Sequence, residues 1–370
     1  MSSVYEQRPQ LVFWETTKAC ELSCIHCRAV SQSKPSPDEM SLDDSLRFLS
    51  SLKSFGSSPV LILTGGNVML RYNIGEIVES IGTSSIPAAA SPAVSDSLTP
   101  ESVQRMISVG IRSFSISLDG KKAFHDMVRG SGSYFRTIEA ADMLKQKEAR
   151  LQINTLVTAD NIYDLPFILK WLIENGIKVW EIFFLVRTGR GIDLKDLNKK
   201  EYEGVCMFLV FASGYGINIR TVEGPYFRVL AKRHNDGMKE EGNPVFEKMR
   251  NIAESIIASP RESDYKIPVA GTSDGNGIIF VGHDGSVYPS GFLPIKVGSI
   301  LEKPISEIYR ESELLISLRD RKNLAGKCGS CEYREVCGGS RARAFYYTGS
   351  VLGEDPLCPR VILNLSIKAL

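Results

Sequence analysis

The chain carries no surplus of charge: 44 Lys and Arg stand against 43 Asp and Glu, for a net charge of +1. That excludes nucleic-acid binding by bulk electrostatics, which needs a basic excess to release counterions from phosphates. Its opening residues, MSSVYEQRPQ, hold no apolar segment of the kind a secretory signal requires, so no export is expected. The longest strongly apolar run, VCMFLVFA at 205–212, is much shorter than the roughly 20 residues that span a bilayer. Low-complexity tracts are lacking, as are repeats beyond a strand–helix rhythm. These absences leave a cytoplasmic globular chain. A length of 370 with 43% hydrophobic residues provides for one large domain and a smaller one.

Cysteine is present in an unusual pattern. Eight occur, and in a long chain without an export signal they point to metal binding or catalysis rather than disulfides. Seven fall into two groups: Cys20, Cys24 and Cys27 near the start, and Cys328, Cys331, Cys337 and Cys358 near the end. Cys206 stands alone in an apolar helical stretch and reads as a small buried hydrophobe.

Residues 11 to about 190 alternate short apolar segments with helical ones. LVFWETT (11–17), PVLILTGG (59–66), IPAAASPAV (86–94), SFSISLDG (113–120), RLQINTLVT (150–158) and VWEIFFLV (179–186) read as strands. LDDSLRFLSSLKSF and DLPFILKWLIENG read as helices, the second closed by Gly176. Such an alternation predicts a parallel sheet covered by helices. Six units fall short of the eight that close a full barrel. The α/β fold expected is therefore a partial (β/α)6 TIM-type barrel with function at the C-terminal ends of its strands. INIRTVEG (217–224) is a candidate further strand. The expected division is a short lead (1–10), a barrel core (11–225), a charged insertion or lid (226–270) and a small C-terminal domain (271–370). That domain opens with a hairpin, GIIFVGHDGSVYPSG, turning at Asp-Gly.

The stretch TTKACELSCIHCRAV (16–30) directly follows the first strand and spaces its cysteines C-x3-C-x2-C. A structural zinc takes four ligands, and a [4Fe–4S] cluster normally takes four cysteines. Three thiols therefore leave a position open, and a partial zinc site is the alternative. This motif at this place resembles the signature of the radical SAM superfamily. The resemblance implies that Cys20, Cys24 and Cys27 hold a [4Fe–4S] cluster whose fourth iron binds the amino and carboxylate groups of S-adenosylmethionine. Reductive cleavage of the sulfonium would then give a 5′-deoxyadenosyl radical that abstracts hydrogen from the substrate, with a low-potential donor such as ferredoxin or flavodoxin supplying the electron. By the same resemblance His26 packs near the adenine, and Gly65, Gly66 and Asn67 of TGGNVML meet the methionine amino group. Asn67 and Val68 depart from the family's Gly-Gly-Glu-Pro pattern there, so the side chain brings no charge. Ser117 and Arg129, from SISLDG and HDMVRG, approach the carboxylate, and Asn154 the ribose hydroxyls. Asp119 reads as a turn residue.

The second group, C-x2-C-x5-C with a fourth cysteine twenty-one residues on, is zinc- or cluster-compatible on its residues alone. It resembles the SPASM extension, or its shorter twitch form. The resemblance implies one auxiliary [4Fe–4S] cluster held by Cys328, Cys331, Cys337 and Cys358. Ser290 and Ser340 occupy positions where relatives place cysteines for another cluster, and serine is a poor ligand for such iron.

WETTKAC…HCRA and CGGSRARA are similar to the haem-biosynthesis branch of this family, which implies an anionic small-molecule substrate and tetrapyrrole side-chain chemistry. Arg187, Arg190, Arg341 and Arg343 are the candidate carboxylate partners. Lipid or sugar head-group modification with carbon–carbon bond formation, as in calditol-type archaeal lipids, is a second reading. Peptide maturation is a third, set back because only ten residues precede the first strand. A non-catalytic iron–sulfur carrier is a fourth.

Overall fold

Every second side chain of the central strands is buried, and the buried set packs under helices. The computed structural model describes residues 5–238, 241–262 and 265–360. Among these residues ten strands form one sheet: β1 (Leu11–Glu15), β2 (Val60–Thr64), β3 (Ala88–Ala90), β4 (Ser113–Ser117), β5 (Arg150–Val157), β6 (Val179–Phe184), β7 (Asn218–Val222), β8 (Ile278–Val281), β9 (Ser286–Tyr288) and β10 (Gly298–Ser299). Their order is β10-β9-β8-β1-β2-β3-β4-β5-β6-β7. From β8 to β7 all pairs are parallel, and β9 and β10 add antiparallel. Along the chain come helices α1 (Leu42–Ser51), α2 (Ile74–Thr83), α3 (Pro100–Ser108), α4 (Lys122–Arg129), α5 (Ser133–Gln146), α6 (Leu165–Glu174) and α7 (Lys199–Ser213). Ser41, Thr99 and Asn198 start α1, α3 and α7 through reciprocal capping boxes. Gly176 follows α6 at φ +66°, the left-handed turn foreseen for it.

Trp14, Leu63, Phe114, Ile116, Ile153, Trp180 and Ile182 are buried on the helix-covered side. Trp14 meets Phe48 of α1 edge-on, with ring centroids 5.2 Å apart. The alternate residues Phe13, Ile62, Ser115, Ser117, Gln152, Asn154 and Glu181 are only half-buried and face the concave side.

Two expectations are corrected. The hairpin at 277–291 was placed in a separate domain, but its first strand, β8, joins the barrel sheet beside β1, where Gln10 and Leu11 both donate to the Gly277 carbonyl at 2.8 and 3.1 Å. The parallel sheet therefore has eight strands rather than six, and the C-terminal segment extends it. The second concerns 226–270, expected as a charged insertion or lid, whose described residues are packed rather than detached. Its helices α8 (Tyr226–Asn235) and α9 (Pro244–Ile256) bury Phe227, Val229 and Leu230, and Phe246 and Met249, against α6 and α7. Lys232, Asp236 and Arg250, among the charges that give the segment its polar composition, have exposed side chains, while Arg228 turns inward to the Thr272 carbonyl.

Glu15, at the end of β1, ties this seam together. Its carboxylate meets His283 Nδ1 at 3.0 Å and Arg28 at 3.1 Å. Burial alone would raise the Glu15 carboxyl, but the His283 bond and the Arg28 charge outweigh it and hold it below its ordinary 4.5. Burial would lower His283, but Glu15 outweighs that and raises it above 6.5. The lowered acid contributes stability above pH 4.5 that is lost as pH falls, and the raised base contributes below pH 6.5 and is lost as pH rises. Glu15→Gln should therefore cost about 3 kcal/mol, with its largest effect between those two values; urea unfolding of both proteins across pH checks this, and a pH-independent difference would refute it.

Candidate functional site

The loop from Thr16 to Gln32 leaves β1 and crosses the C-terminal mouth of the sheet. Gly66 N–H donates to the Thr17 carbonyl at 2.8 Å, Asn67 N–H to Ala19 at 2.7 Å, and Cys20 N–H to Gln32 at 2.8 Å. The approach is so close that a Cβ on Gly65 or Gly66 would press into the carbonyl oxygens of Thr17 or Ala19. Gly65 also sits at φ +139°, which disfavours a side chain. The loop thus already requires the glycine pair before any ligand is considered. Gly189 acts from the other side: a Cβ there would meet the Cys27 carbonyl oxygen, to which Arg190 N–H donates at 3.0 Å.

Seated this way, Cys20, Cys24 and Cys27 are partly buried and within electrostatic reach of one another. Burial raises the thiols of Cys20 and Cys24. It acts the same way on Cys27, but Ser31, whose N–H and hydroxyl both lie 3.5 Å from Sγ, and Arg190 outweigh it and lower that thiol. Leu22 N–H donates to Cys20 Sγ at 3.4 Å. Among the described residues no three His, Cys, Asp or Glu side chains stand close enough to hold a single metal ion. Three thiols in one loop, with N–H donors on the sulfurs of Cys20 and Cys27, suit an iron–sulfur cluster.

The residues around the thiols differ from expectation in several details. Arg190, expected to face substrate, bonds the Ser31 carbonyl at 3.4 Å and its hydroxyl at 3.1 Å, bracing the cysteine loop. Arg187 remains partly exposed, with Asp196 3.9 Å away. Arg129 lies beside Cys24, but its Nε edge is taken by Asp119. Asp119, read as a turn residue, is fully buried and also accepts the Leu156 N–H at 2.8 Å. Burial alone would raise its carboxyl, yet the Arg129 charge outweighs this and holds it at about 2. His26 is pushed down to about 4, first by burial and then by Arg129, and among the described residues its buried Nδ1 has no partner. Asn67 is spent inside the protein: Nδ2 donates to Glu21 at 2.9 Å, Ser95 at 3.0 Å and Ser97 at 2.7 Å. Ser117 and Asn154 share one rung of the sheet on the concave face.

A profile described as the Radical SAM superfamily matches residues 14–182. The AdoMet-dependent heme synthase of Methanosarcina barkeri is 34% identical over 354 residues, 95% of this chain and 96% of that one. The chain belongs to the radical SAM superfamily. The AdoMet-dependent heme synthase of Nitratidesulfovibrio vulgaris is also 34% identical, over 94% of this chain and 92% of its own. The solved structure of native anSMEcpe with bound AdoMet shares the fold, with a TM-score of 0.66 at 18% identity over 94% of this chain and 93% of that one. A radical SAM protein with such relatives is an enzyme, and its family implies a [4Fe–4S] cluster and S-adenosylmethionine. Among its described residues no helix is long and apolar enough to cross a membrane.

In this radical SAM enzyme the later cysteines line one cavity: Cys328, Cys331, Cys337 and Cys358, with Tyr202, Tyr333 and Asp355. Backbone N–H groups of Asp355, Tyr333 and Gly339 point at Cys328, Cys331 and Cys337, each at 3.4 Å. Such donors stabilise sulfur that carries negative charge. Arg341 and Arg343, expected to meet substrate, are both buried and bonded within the protein. Arg341 bonds the carbonyls of Val351 at 3.0 Å and Gly353 at 2.6 Å. Arg343 grips Asp355 with two bonds, 2.8 and 3.0 Å. Ser340 caps the helix Arg341–Thr348 by accepting Arg343 N–H at 3.0 Å, and Ser290 accepts Phe292 N–H at 3.2 Å.

Sequence reading missed Glu21, Gln152, Glu181 and Arg220. Glu21 lies inside the cysteine motif; Gln152 stands two residues before Asn154, and strand periodicity alone puts Gln152 and Asn154 on the same face. Asp355→Asn should leave Arg343 buried without its partner, at a cost of about 3–5 kcal/mol, and should reduce bound iron. Urea unfolding and iron analysis check this; wild-type values in both would refute the structural role of the pair.

Proposed function

We propose that this enzyme uses S-adenosylmethionine to abstract hydrogen from a carboxylated side chain of a tetrapyrrole. The observation that carries the reading is 34% identity to proteins named heme synthases across nearly the whole chain. The concave face supports it. Phe13 and Phe280 are paired in register, Phe183 and Phe292 have ring centroids 6.2 Å apart, and Arg28 lies 4.5 Å over the Phe280 ring. A flat conjugated macrocycle packs well on such rings. The heme synthases, at 34% identity, stand above the mycofactocin maturases, at 27%, so the tetrapyrrole reading is favoured over the peptide one.

Cys20, Cys24 and Cys27 hold the first cluster, with one iron left for the cofactor. When bound and reduced by a donor such as ferredoxin or flavodoxin, cluster and cofactor supply the 5′-deoxyadenosyl radical. The chain's own residues orient the cofactor. Ser117 and the remaining edge of Arg129 meet the methionine carboxylate, Asn154 the ribose and His26 the adenine. The backbone at Gly65 and Gly66 faces the amino group, and Glu21, held by Asn67, supplies the negative charge that Asn67 itself lacks. Cys328, Cys331, Cys337 and Cys358 hold an auxiliary [4Fe–4S] cluster in a twitch-like C-terminal segment, fully ligated and so suited to electron transfer or to shaping the substrate pocket.

Cys24→Ala should abolish 5′-deoxyadenosine formation by anaerobic, dithionite-reduced protein; retained cleavage would remove the assignment of the first cluster. Cys331→Ala should lower iron by about four per chain and reduce turnover of tetrapyrrole, and unchanged iron would remove the auxiliary cluster.

A further inference from the structure

The part of the concave face over β5, β6 and β7 carries polar residues that the cofactor assignments do not use. One rung of the sheet crosses it: Ser117 pairs with Asn154, Asn154 with Glu181, and Glu181 with Arg220. Arg220 stands on the edge strand, yet its guanidinium does not trail outward. It reaches back over β6 to donate to Gln152 Oε1 on β5 at 3.1 Å. Gln152 Nε2 in turn donates to Glu181 at 3.0 Å and to Asn154 at 2.8 Å. The guanidinium is therefore laid across the concave face, and among the described residues Gln152 is its one hydrogen-bond partner. Its other N–H groups remain open, because the residue is exposed. Glu181 competes for it poorly. Burial raises the Glu181 carboxyl, and the Arg220 charge and the Gln152 bond offset only part of that.

We infer that Arg220 is a specificity-determining residue that holds a non-reacting carboxylate of the substrate, aimed by Gln152 and Glu181. This rests on the tetrapyrrole reading given above. A guanidinium can grip a carboxylate with two parallel bonds and stays charged at any working pH. Gln152 links the guanidinium to the cofactor rung, since its Oε1 accepts from Arg220 and its Nε2 donates to Asn154. An acid group held on Arg220 therefore leaves the ring edge that bears it over Asn154 and Ser117, where the cofactor is assigned.

The test titrates an iron porphyrin bearing four propionates, and separately its tetramethyl ester, into the reconstituted full-length enzyme while following the porphyrin absorption band. Wild type should bind the acid at least about tenfold more tightly than the ester, a difference of about 1.4 kcal/mol. Arg220→Gln should lose that preference through weaker acid binding, and Arg220→Lys should keep part of it. Unchanged acid affinity in Arg220→Gln with normal iron content overturns the role of Arg220 and leaves the tetrapyrrole reading standing. Wild-type enzyme that binds neither porphyrin overturns that reading and this inference with it. Should Arg220→Gln fail to hold iron, Gln152→Leu reads the same preference. A several-fold reduction is expected because the guanidinium loses its guide, and an undiminished preference overturns the inference.

Discussion

Three backbone carbonyls pressed against three glycines hold the mouth of this enzyme together. The Thr17 and Ala19 carbonyls lie on Gly65 and Gly66, and the Cys27 carbonyl on Gly189. A cysteine loop has little apolar surface to bury, so it cannot be fixed by a core of its own. Here β2 and the segment after β6 clamp it from two sides through main-chain hydrogen bonds. The placement of the thiols, the nearness of Arg129 to Cys24 and the access of a ligand to the concave face all follow from that seat. Because backbone rather than side chains makes the contact, small changes of side-chain chemistry elsewhere leave it intact, while any Cβ at these glycines would displace the loop.

Charge is managed by pairing rather than by exposure. Asp119 with Arg129 and Asp355 with Arg343 are buried ion pairs, one beside each cysteine group. A lone buried charge in either place would be costly, and a matched pair also fixes geometry. The pairs have different consequences. Asp119 occupies one edge of Arg129 and leaves another for a ligand, whereas Asp355 and the Glu223 carbonyl take Nε and Nη2 of the buried Arg343. Net positive charge that looked available to substrate in the sequence is thereby consumed next to the second cysteine group. Arg220, whose one hydrogen-bond partner among the described residues is the neutral Gln152, is a different case.

Local features were legible in the sequence. The strand segments, the helix ending at Gly176, the hairpin at Asp284–Gly285 and the grouping of the cysteines all depend on residues near one another in the chain. Non-local features were not. The joining of β8 to β1 brings together residues more than two hundred positions apart, and no period in the chain announces it. Arginine was the weakest signal, because the same residue type serves as loop brace at Arg190, as buried anchor at Arg343 and as open cation at Arg220. Only the partner distinguishes these roles, and the partner comes from the fold. The charged stretch 226–270 misled for a related reason: its composition is polar, but helical spacing gathers Phe227, Leu230, Phe246 and Met249 onto buried faces.

The most direct measurement is the electron paramagnetic resonance spectrum of the anaerobic, dithionite-reduced enzyme, recorded before and after adding S-adenosylmethionine. A cluster held by Cys20, Cys24 and Cys27 with one iron open must change its signal when the cofactor binds that iron. A spectrum that stays the same, or protein that holds no iron after anaerobic reconstitution, would contradict a three-thiol cluster at the mouth of this sheet.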